Sequence, residues 1–196
     1  MRKKIGDGIG MMVDANHAYD AAAAIQLGRR IEELDIGWFE EPVPPEDLGG
    51  YREVKAALAI PIAGGEAEFT RWGFRPLLVE RAVDILQPDT CAAGGISECK
   101  KIADMANAFG IRVNPHVWGT GVALAASLQL IAALPHNPAA LYPIEPLLEF
   151  DQSEHPIRMA IIEEPIIQRA GWVDIPNRPG LGIEIDRPAI ERFRIG

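Results

Sequence analysis

The sequence has few cysteines, no long apolar run and little clustered positive charge. Its two cysteines, Cys91 and Cys99, cannot by themselves form a disulfide framework or a four-ligand zinc site, which indicates a reducing compartment. No apolar stretch approaches the ~20 residues of a membrane span, and the N-terminus lacks the apolar core of a secretory signal. We therefore expect a soluble, cytoplasmic protein without a membrane partner.

The charge balance is acidic. The formal net charge is −9 at pH 7, and "MRKK" at the start is the one basic cluster. A polyanion such as DNA or RNA is therefore not an expected partner. Hydrophobic residues make up 48% of the 196 residues, so the chain can build a core, and its length fits one domain better than two.

Short strand-like runs alternate with helical patterns along the chain. Apolar positions at three- and four-residue spacing predict one helix from Ala21 to Leu34, with Asp20 as its N-cap, and another from Ser97 to a C-terminal Gly110. This alternation is typical of βαβ units and a parallel sheet. The predicted strands are 10–15, 36–41, 60–66, 83–89, 111–116 and 147–150.

A polar residue ends each of the first five predicted strands: Asp14, Glu40, Glu66, Asp89 and His116. They follow one another after 26, 26, 23 and 27 residues. Parallel strands joined by right-handed crossovers deliver their C-terminal ends to one face, so this period predicts one shared site at the mouth of a (β/α) TIM-type barrel. A doubly wound parallel sheet is the alternative architecture.

Three carboxylates on one face would repel one another unless they were protonated or bridged by a cation. An all-oxygen set favours Mg²⁺ or Mn²⁺ over zinc, so Asp14, Glu40 and Glu66 are the predicted metal ligands. Glu41 breaks the spacing and points to the opposite side by strand alternation. We therefore expect Glu41 to be a structural partner for a neighbouring cation, or to be solvated.

The next two strand ends carry a carboxylate and an imidazole. Asp89 on one strand could hydrogen-bond one ring nitrogen of His116 on the next, fixing its tautomer and raising its basicity. The other ring nitrogen would then face a substrate. His17, His136 and His155 lie in polar or loop contexts and are given no role.

The motifs "VDAN", "WFEEP", "GGE", "QPD" and "PHVWGTG" occur in this order. With them the chain resembles the mandelate racemase/muconate lactonising enzyme group of the enolase superfamily, and within it the galactarolactone cycloisomerases and acid-sugar dehydratases. The resemblance implies that Mg²⁺ is bound by Asp14, Glu40 and Glu66.

The same resemblance implies a catalytic role for His116 with Asp89, and for Glu149, which would hydrogen-bond an enolate oxygen. Glu145 is a nearby competitor for the last role. Asn16 and Trp118, within two of the motifs, are the predicted substrate-binding residues.

The implied reaction removes a proton α to a carboxylate of an acid sugar or its lactone, and then eliminates a β-substituent by ring opening or dehydration. Racemisation or epimerisation is the alternative within the family. A metal-dependent hydrolase on the same barrel is disfavoured, because such sites usually need histidine ligands and only one histidine ends a strand.

Members of the family carry an N-terminal α+β capping domain and two more barrel strands, which usually include a lysine base, before the first strand predicted here. We therefore expect a partial barrel of about six βα units at residues 1–155 and a tail at residues 156–196 that packs on the capping region. The expected state is a homo-oligomer, or a barrel completed by another chain. A truncated member that keeps the metal site without turnover is the competing hypothesis.

Overall fold

The central sheet contains five parallel strands, and their order in the sheet is their order in the chain. The computed structural model describes residues 1–135, 142 and 144–195. Helices follow the strands, as the alternating pattern predicts, so the parallel α/β fold is confirmed.

The strands are β1 (Met11–Asp14), β2 (Ile36–Glu40), β3 (Ile62–Gly64), β4 (Ile85–Leu86) and β5 (Arg112–Val113). The helices are α1 (Arg2–Ile5), α2 (Ala21–Ile31), α3 (Leu48–Ala57), α4 (Thr70–Val79), α5 (Ile96–Ala108) and α6 (Gly121–Ala133), with a 3-10 turn at Glu32–Leu34.

Both helices predicted in detail form with the expected end signals. The Asp20 side chain accepts a hydrogen bond from the Ala23 amide at the start of α2, as an N-cap does. Gly110, just after α5, has φ 67°, a left-handed conformation that glycine adopts without the cost of a Cβ.

The sixth predicted strand, 147–150, is wrong. This segment has no strand pairing, and the Leu147 amide donates to the side chain of Asn114 at 2.6 Å instead of to a neighbouring main chain. Pro146 has no N–H to offer a ladder. The sheet is therefore an open five-stranded one, with β1 and β5 at its edges.

The two faces of the sheet contact different surroundings. On one face, Phe39, Ile62 and Leu86 belong to the large core that also contains residues of α2 to α5. On the other face, Trp38, Ala63 and Ile85 form a separate small cluster. Glu40 lies two residues after Trp38 and so shares this second face.

Residues after 155 pack on α6. The tail carries a small antiparallel hairpin of β6 (Gln168–Arg169) and β7 (Trp172–Val173), followed by α7 (Arg187–Phe193). Ile162 and Ile166 form a second core cluster with Leu124 and Leu128 of α6. The boundary at residue 155 stays a prediction. In the described part of the chain, no helix is both long enough and apolar enough to cross a membrane.

Candidate active site

The ends of β1 and β2 bring the first two predicted ligands side by side. Asp14 pairs with Glu40 in the strand register, and the ladder continues beyond them, because the Ala15 amide donates to the Glu40 carbonyl at 3.0 Å. The Asp14 side chain is exposed, and its Oδ1 accepts from the Asn16 amide at 2.7 Å. A tight turn therefore fixes Asp14 at the rim of the sheet.

Glu40 is a buried carboxylate. Its Oε2 accepts a hydrogen bond from Trp38 Nε1 at 2.9 Å. Burial raises the pKa of Glu40; hydrogen bonds from Gln87 and Trp38 oppose that shift, and the charge of Asp14 adds to it. A buried anion beside another carboxylate is unfavourable, and a bound cation would offset both costs.

Asp89 and His116 form the predicted pair. Asp89 Oδ2 lies 2.7 Å from His116 Nδ1, and Asp89 Oδ1 accepts from the Cys91 amide at 2.6 Å. Burial raises the pKa of Asp89, but its hydrogen bonds with His116 and the Cys91 amide outweigh burial and leave it lowered. Asp89 is therefore a fixed anion that holds a proton on Nδ1 of the ring.

The other nitrogen of His116 faces the third predicted ligand. His116 Nε2 lies 3.2 Å from Glu66 Oε2. Burial disfavours the charged imidazole, yet the hydrogen bond to Asp89 and the charges of Glu66 and Glu149 outweigh it and raise the pKa of His116 to about 9. Burial raises the pKa of Glu66, and His116 counters part of that shift. Both ring nitrogens of His116 are therefore held by carboxylates.

Glu149 completes the group from residues 144–150, which follow α6 in the chain. Its Oε2 accepts from the Val117 amide at 2.6 Å, and its Oε1 accepts from Gln87 Nε2 at 3.3 Å. Burial raises the pKa of Glu149 to about 7, against the opposing hydrogen bond from Val117. Glu145, the competing residue, is exposed. Glu149 is thus a carboxyl group that can carry a proton near His116.

The donor set fits a hard divalent cation. Besides burial, the charge of Asp14 raises the pKa of Glu40, and the charges of Glu40 and Asp14 raise the pKa of Glu66, so the three side chains lie close together. Within residues 1–135, 142 and 144–195, no three acidic, histidine or cysteine side chains are already arranged to hold a metal ion. Glu66 is paired with His116 instead. The ligand types fit the cation, and Glu66 would have to leave His116 to contribute.

The two predicted substrate-binding residues lie at the rim. Asn16 is exposed next to Asp14. The Trp118 ring is two-thirds exposed, and its Nε1 donates to Asp151 Oδ2 at 3.0 Å. The buried Arg158 pairs with the same Asp151 oxygen and donates to the carbonyl of Gly119, so it fixes the loop that carries Trp118.

Two residues without a predicted role, Gln87 and His17, also lie at the site. Gln87, fully buried, contacts Glu149 and acts on Glu40. His17 lies against Glu41, with Nε2 and Oε2 2.9 Å apart. Glu41 is buried, so the expectation that it is solvated is wrong, and His17 is the neighbouring side chain that it contacts. Gln87 follows β4 as the first residue of the "QPD" motif, and this motif was the signal in the sequence that could have indicated its role. His136, which was also given no role, lies outside the described residues.

Known proteins resemble this chain over nearly its whole length. The family model described as "Enolase C-terminal domain-like" matches residues 1–189. D-galactarolactone cycloisomerase from Agrobacterium fabrum is 50% identical over 195 residues, which are 100% of this chain and 52% of that protein. Arabinonate dehydratase from Saccharolobus solfataricus is 36% identical over 99% of this chain and 50% of its own length.

Solved structures agree. The crystal structure of the 3,6-anhydro-D-galactonate cycloisomerase from Zobellia galactanivorans has a TM-score of 0.90 and 41% identity, over 98% of this chain and 52% of that one. A member of the enolase superfamily from Salmonella Typhimurium has a TM-score of 0.83 and 31% identity, over 97% and 47%. The chain thus spans about half the length of the relatives it matches.

Proposed function

Because the chain belongs to the enolase C-terminal domain-like family, we propose that it carries the proton-transfer site of a Mg²⁺-dependent isomerase or lyase acting on an acid sugar or its lactone. The observation that carries the proposal is the pair of Asp89 Oδ2 and His116 Nδ1, 2.7 Å apart, next to three carboxylates at the strand ends. The similarity to D-galactarolactone cycloisomerase supports lactone ring opening as the reaction, and dehydration is the closest alternative.

Asp14, Glu40 and Glu66 would hold the cation, with Mn²⁺ as a substitute for Mg²⁺. When bound, the cation supplies charge stabilisation for the substrate carboxylate as it becomes more negative, usually the largest contribution to such a reaction. Trp38 fixes Glu40 through its indole N–H, so this ligand is preorganised. Glu66 would move from His116 to the cation. Without this neighbouring negative charge, Nε2 can release its proton and present its lone pair to the substrate.

His116 takes the α-proton at Nε2. Asp89 holds the proton on Nδ1, so the free lone pair is the one that faces the substrate. The electron pair of the C–H bond passes into the carboxylate and is stabilised there. Glu149, whose pKa is raised to about 7, can donate a hydrogen bond to the developing negative oxygen in its protonated form.

The electron pair then returns from the carboxylate to form a double bond between the α and β carbons. At the same time the bond between the β carbon and its oxygen breaks. If that oxygen belongs to a lactone, the ring opens and a carboxylate leaves without needing a proton. If it is a hydroxyl, it leaves as water by taking a proton, which His116 holds after the first step. In either case the product is an enol, which becomes a 2-keto-3-deoxy acid by gaining a proton at the β carbon and losing the proton of its enol hydroxyl.

Proton NMR in D₂O tests the proposal. The protein is incubated with Mg²⁺ and a panel of acid sugars that includes galactarolactone, with parallel samples containing EDTA or the His116→Asn variant. We expect deuterium at the α position, or a 2-keto-3-deoxy product, only with metal and with His116. Mg²⁺ binding without exchange or product, from folded protein, would favour the alternative that this chain keeps the metal site but does not turn over.

A further inference from the structure

Glu41 is a fully buried carboxylate that the proposed reaction does not use. It follows the ligand Glu40 directly and has φ 40°, so the main chain turns left-handed there. Neither of its carboxylate oxygens has a hydrogen-bond partner among the described residues. A buried, poorly satisfied carboxylate is costly to keep, so its contacts need an explanation.

The one ionisable group that pairs with Glu41 in the described structure is His17. Its Nε2 lies 2.9 Å from Glu41 Oε2, although the two groups are not aligned as a hydrogen bond. The main chains also pair, because the His17 amide donates to the Glu41 carbonyl at 2.9 Å. The loop after β1 is thus joined to the loop after β2 by both side chains and main chain.

The loop after β1 adopts an unfavourable backbone conformation. Asn16 has φ 45° and His17 has φ 62°. Asparagine tolerates this region, but for histidine it costs free energy and persists only where surrounding contacts impose it. The same turn directs the Asn16 amide to Asp14 Oδ1 at 2.7 Å, so its shape determines where the Asp14 carboxylate lies.

We propose that His17 and Glu41 are positioning residues, whose contact holds the turn after β1 against the end of β2, so that Asp14 and Glu40 present their carboxylates together to a divalent cation. The inference rests on the metal site of the proposed function. The end of β1 and the loop after it supply the ligand Asp14 and the pair member His17. The end of β2 and the loop after it supply the ligand Glu40 and the pair member Glu41. Loss of the contact should therefore move Asp14 relative to Glu40 and leave the Asp89–His116 pair in place.

The test compares Mg²⁺ affinity by isothermal titration calorimetry in the parent, His17→Asn, Glu41→Gln and the double variant. Asparagine suits the left-handed backbone at position 17 but is too short to reach Glu41, so it removes the contact without adding strain. Glutamine keeps the volume of Glu41 and replaces its carboxyl group with an amide. We expect a roughly 10–100-fold weaker Kd for His17→Asn, the range found for outer-shell partners of metal ligands, and non-additive effects in the double variant.

Hydrogen exchange of the metal-free protein gives a second measurement that does not depend on turnover. The amides of residues 15 and 17 donate to the carbonyls of Glu40 and Glu41, at 3.0 and 2.9 Å. We expect their exchange to become roughly tenfold faster in His17→Asn, with amides of β4 and β5 unchanged. A lower melting temperature with parental Mg²⁺ affinity and parental exchange at residues 15 and 17 would overturn the inference.

Asp14→Asn separates the two proposals. If Asp14→Asn loses Mg²⁺ binding and His17→Asn does not, the positioning inference is wrong and the metal site stands. If Asp14→Asn binds Mg²⁺ as the parent does, the metal site itself is wrong and the inference fails with it. If His17→Asn does not fold, Glu41→Gln provides the same comparison.

Discussion

Replacing His116 with asparagine should tighten Mg²⁺ binding while it abolishes proton transfer. His116 Nε2 lies 3.2 Å from Oε2 of Glu66, the third predicted ligand. Cation binding has to break this ion pair. In the variant, Glu66 has no such partner to give up, and a positive charge is removed from the site.

The size of the effect follows from the contact. The side chains of His116 and Glu66 are 16% and 20% exposed, so the pair is partly screened by water. A partly exposed ion pair contributes up to about 1 kcal/mol. Because about 1.4 kcal/mol corresponds to a tenfold change in an equilibrium constant, we expect a Kd about fivefold lower.

Calorimetric titration with Mg²⁺, repeated with Mn²⁺, measures the difference, and circular dichroism checks that the variant is folded. His155→Asn is the matched control: it is the same substitution, at a residue whose Nδ1 accepts from the Arg158 amide rather than facing a predicted ligand. We expect its Kd to equal that of the parent. Unchanged or weaker Mg²⁺ binding by folded His116→Asn would refute the reasoning that Glu66 exchanges between the imidazole and the cation.

Three further predictions test the dyad, the core and a surface ion pair. Asp89→Asn should place the His116 proton on the wrong nitrogen and lower kcat by about 10⁴, as removal of the orienting carboxylate does in other triads, with an unchanged far-ultraviolet spectrum; a kcat within tenfold of the parent would contradict the assigned role. Phe74→Ala should lower the free energy of unfolding by about 3–5 kcal/mol in urea titrations, because the ring is fully buried in the main core, and a loss below 1 kcal/mol would contradict that packing. Glu98, held by Arg71 at 2.6 Å, has its pKa lowered to about 2, so its ion pair stabilises the fold above pH ~4.5 and this contribution disappears as the pH falls towards 2. Glu98→Gln should therefore melt below the parent at pH 7, by a difference that shrinks on acidification; a constant difference would contradict the assignment.

The resemblance recognised from five short motifs is confirmed by the family match over residues 1–189. It could be recognised because the motifs lie at the C-terminal ends of the strands, and in βα units the catalytic residues come from those ends. Local patterns were sufficient for α2 and its Asp20 cap, because capping and apolar spacing act over a few residues.

The strand at 147–150 shows where local patterns fail. "LLEF" has the composition of a buried strand, but a strand exists only if a neighbour offers its main-chain groups. Here the Leu147 amide donates to the Asn114 side chain, and Pro146 cannot donate at all. A strand forms only where a suitable segment lies beside a main chain that it can pair with, so the composition of residues 147–150 was not sufficient to predict a strand.

The spacing of residues along the chain was sufficient to predict which side chains reach the shared edge. The period of the βα unit places Asp14, Glu40 and Glu66 at successive strand ends, and strand alternation separates Glu40 from Glu41. Which atoms meet there depends on the fold: Glu66 pairs with His116, and His17 lies against Glu41. Spacing along a strand is set by neighbours in the chain, whereas these side-chain contacts depend on distances of a few ångströms between residues 24 and 50 positions apart.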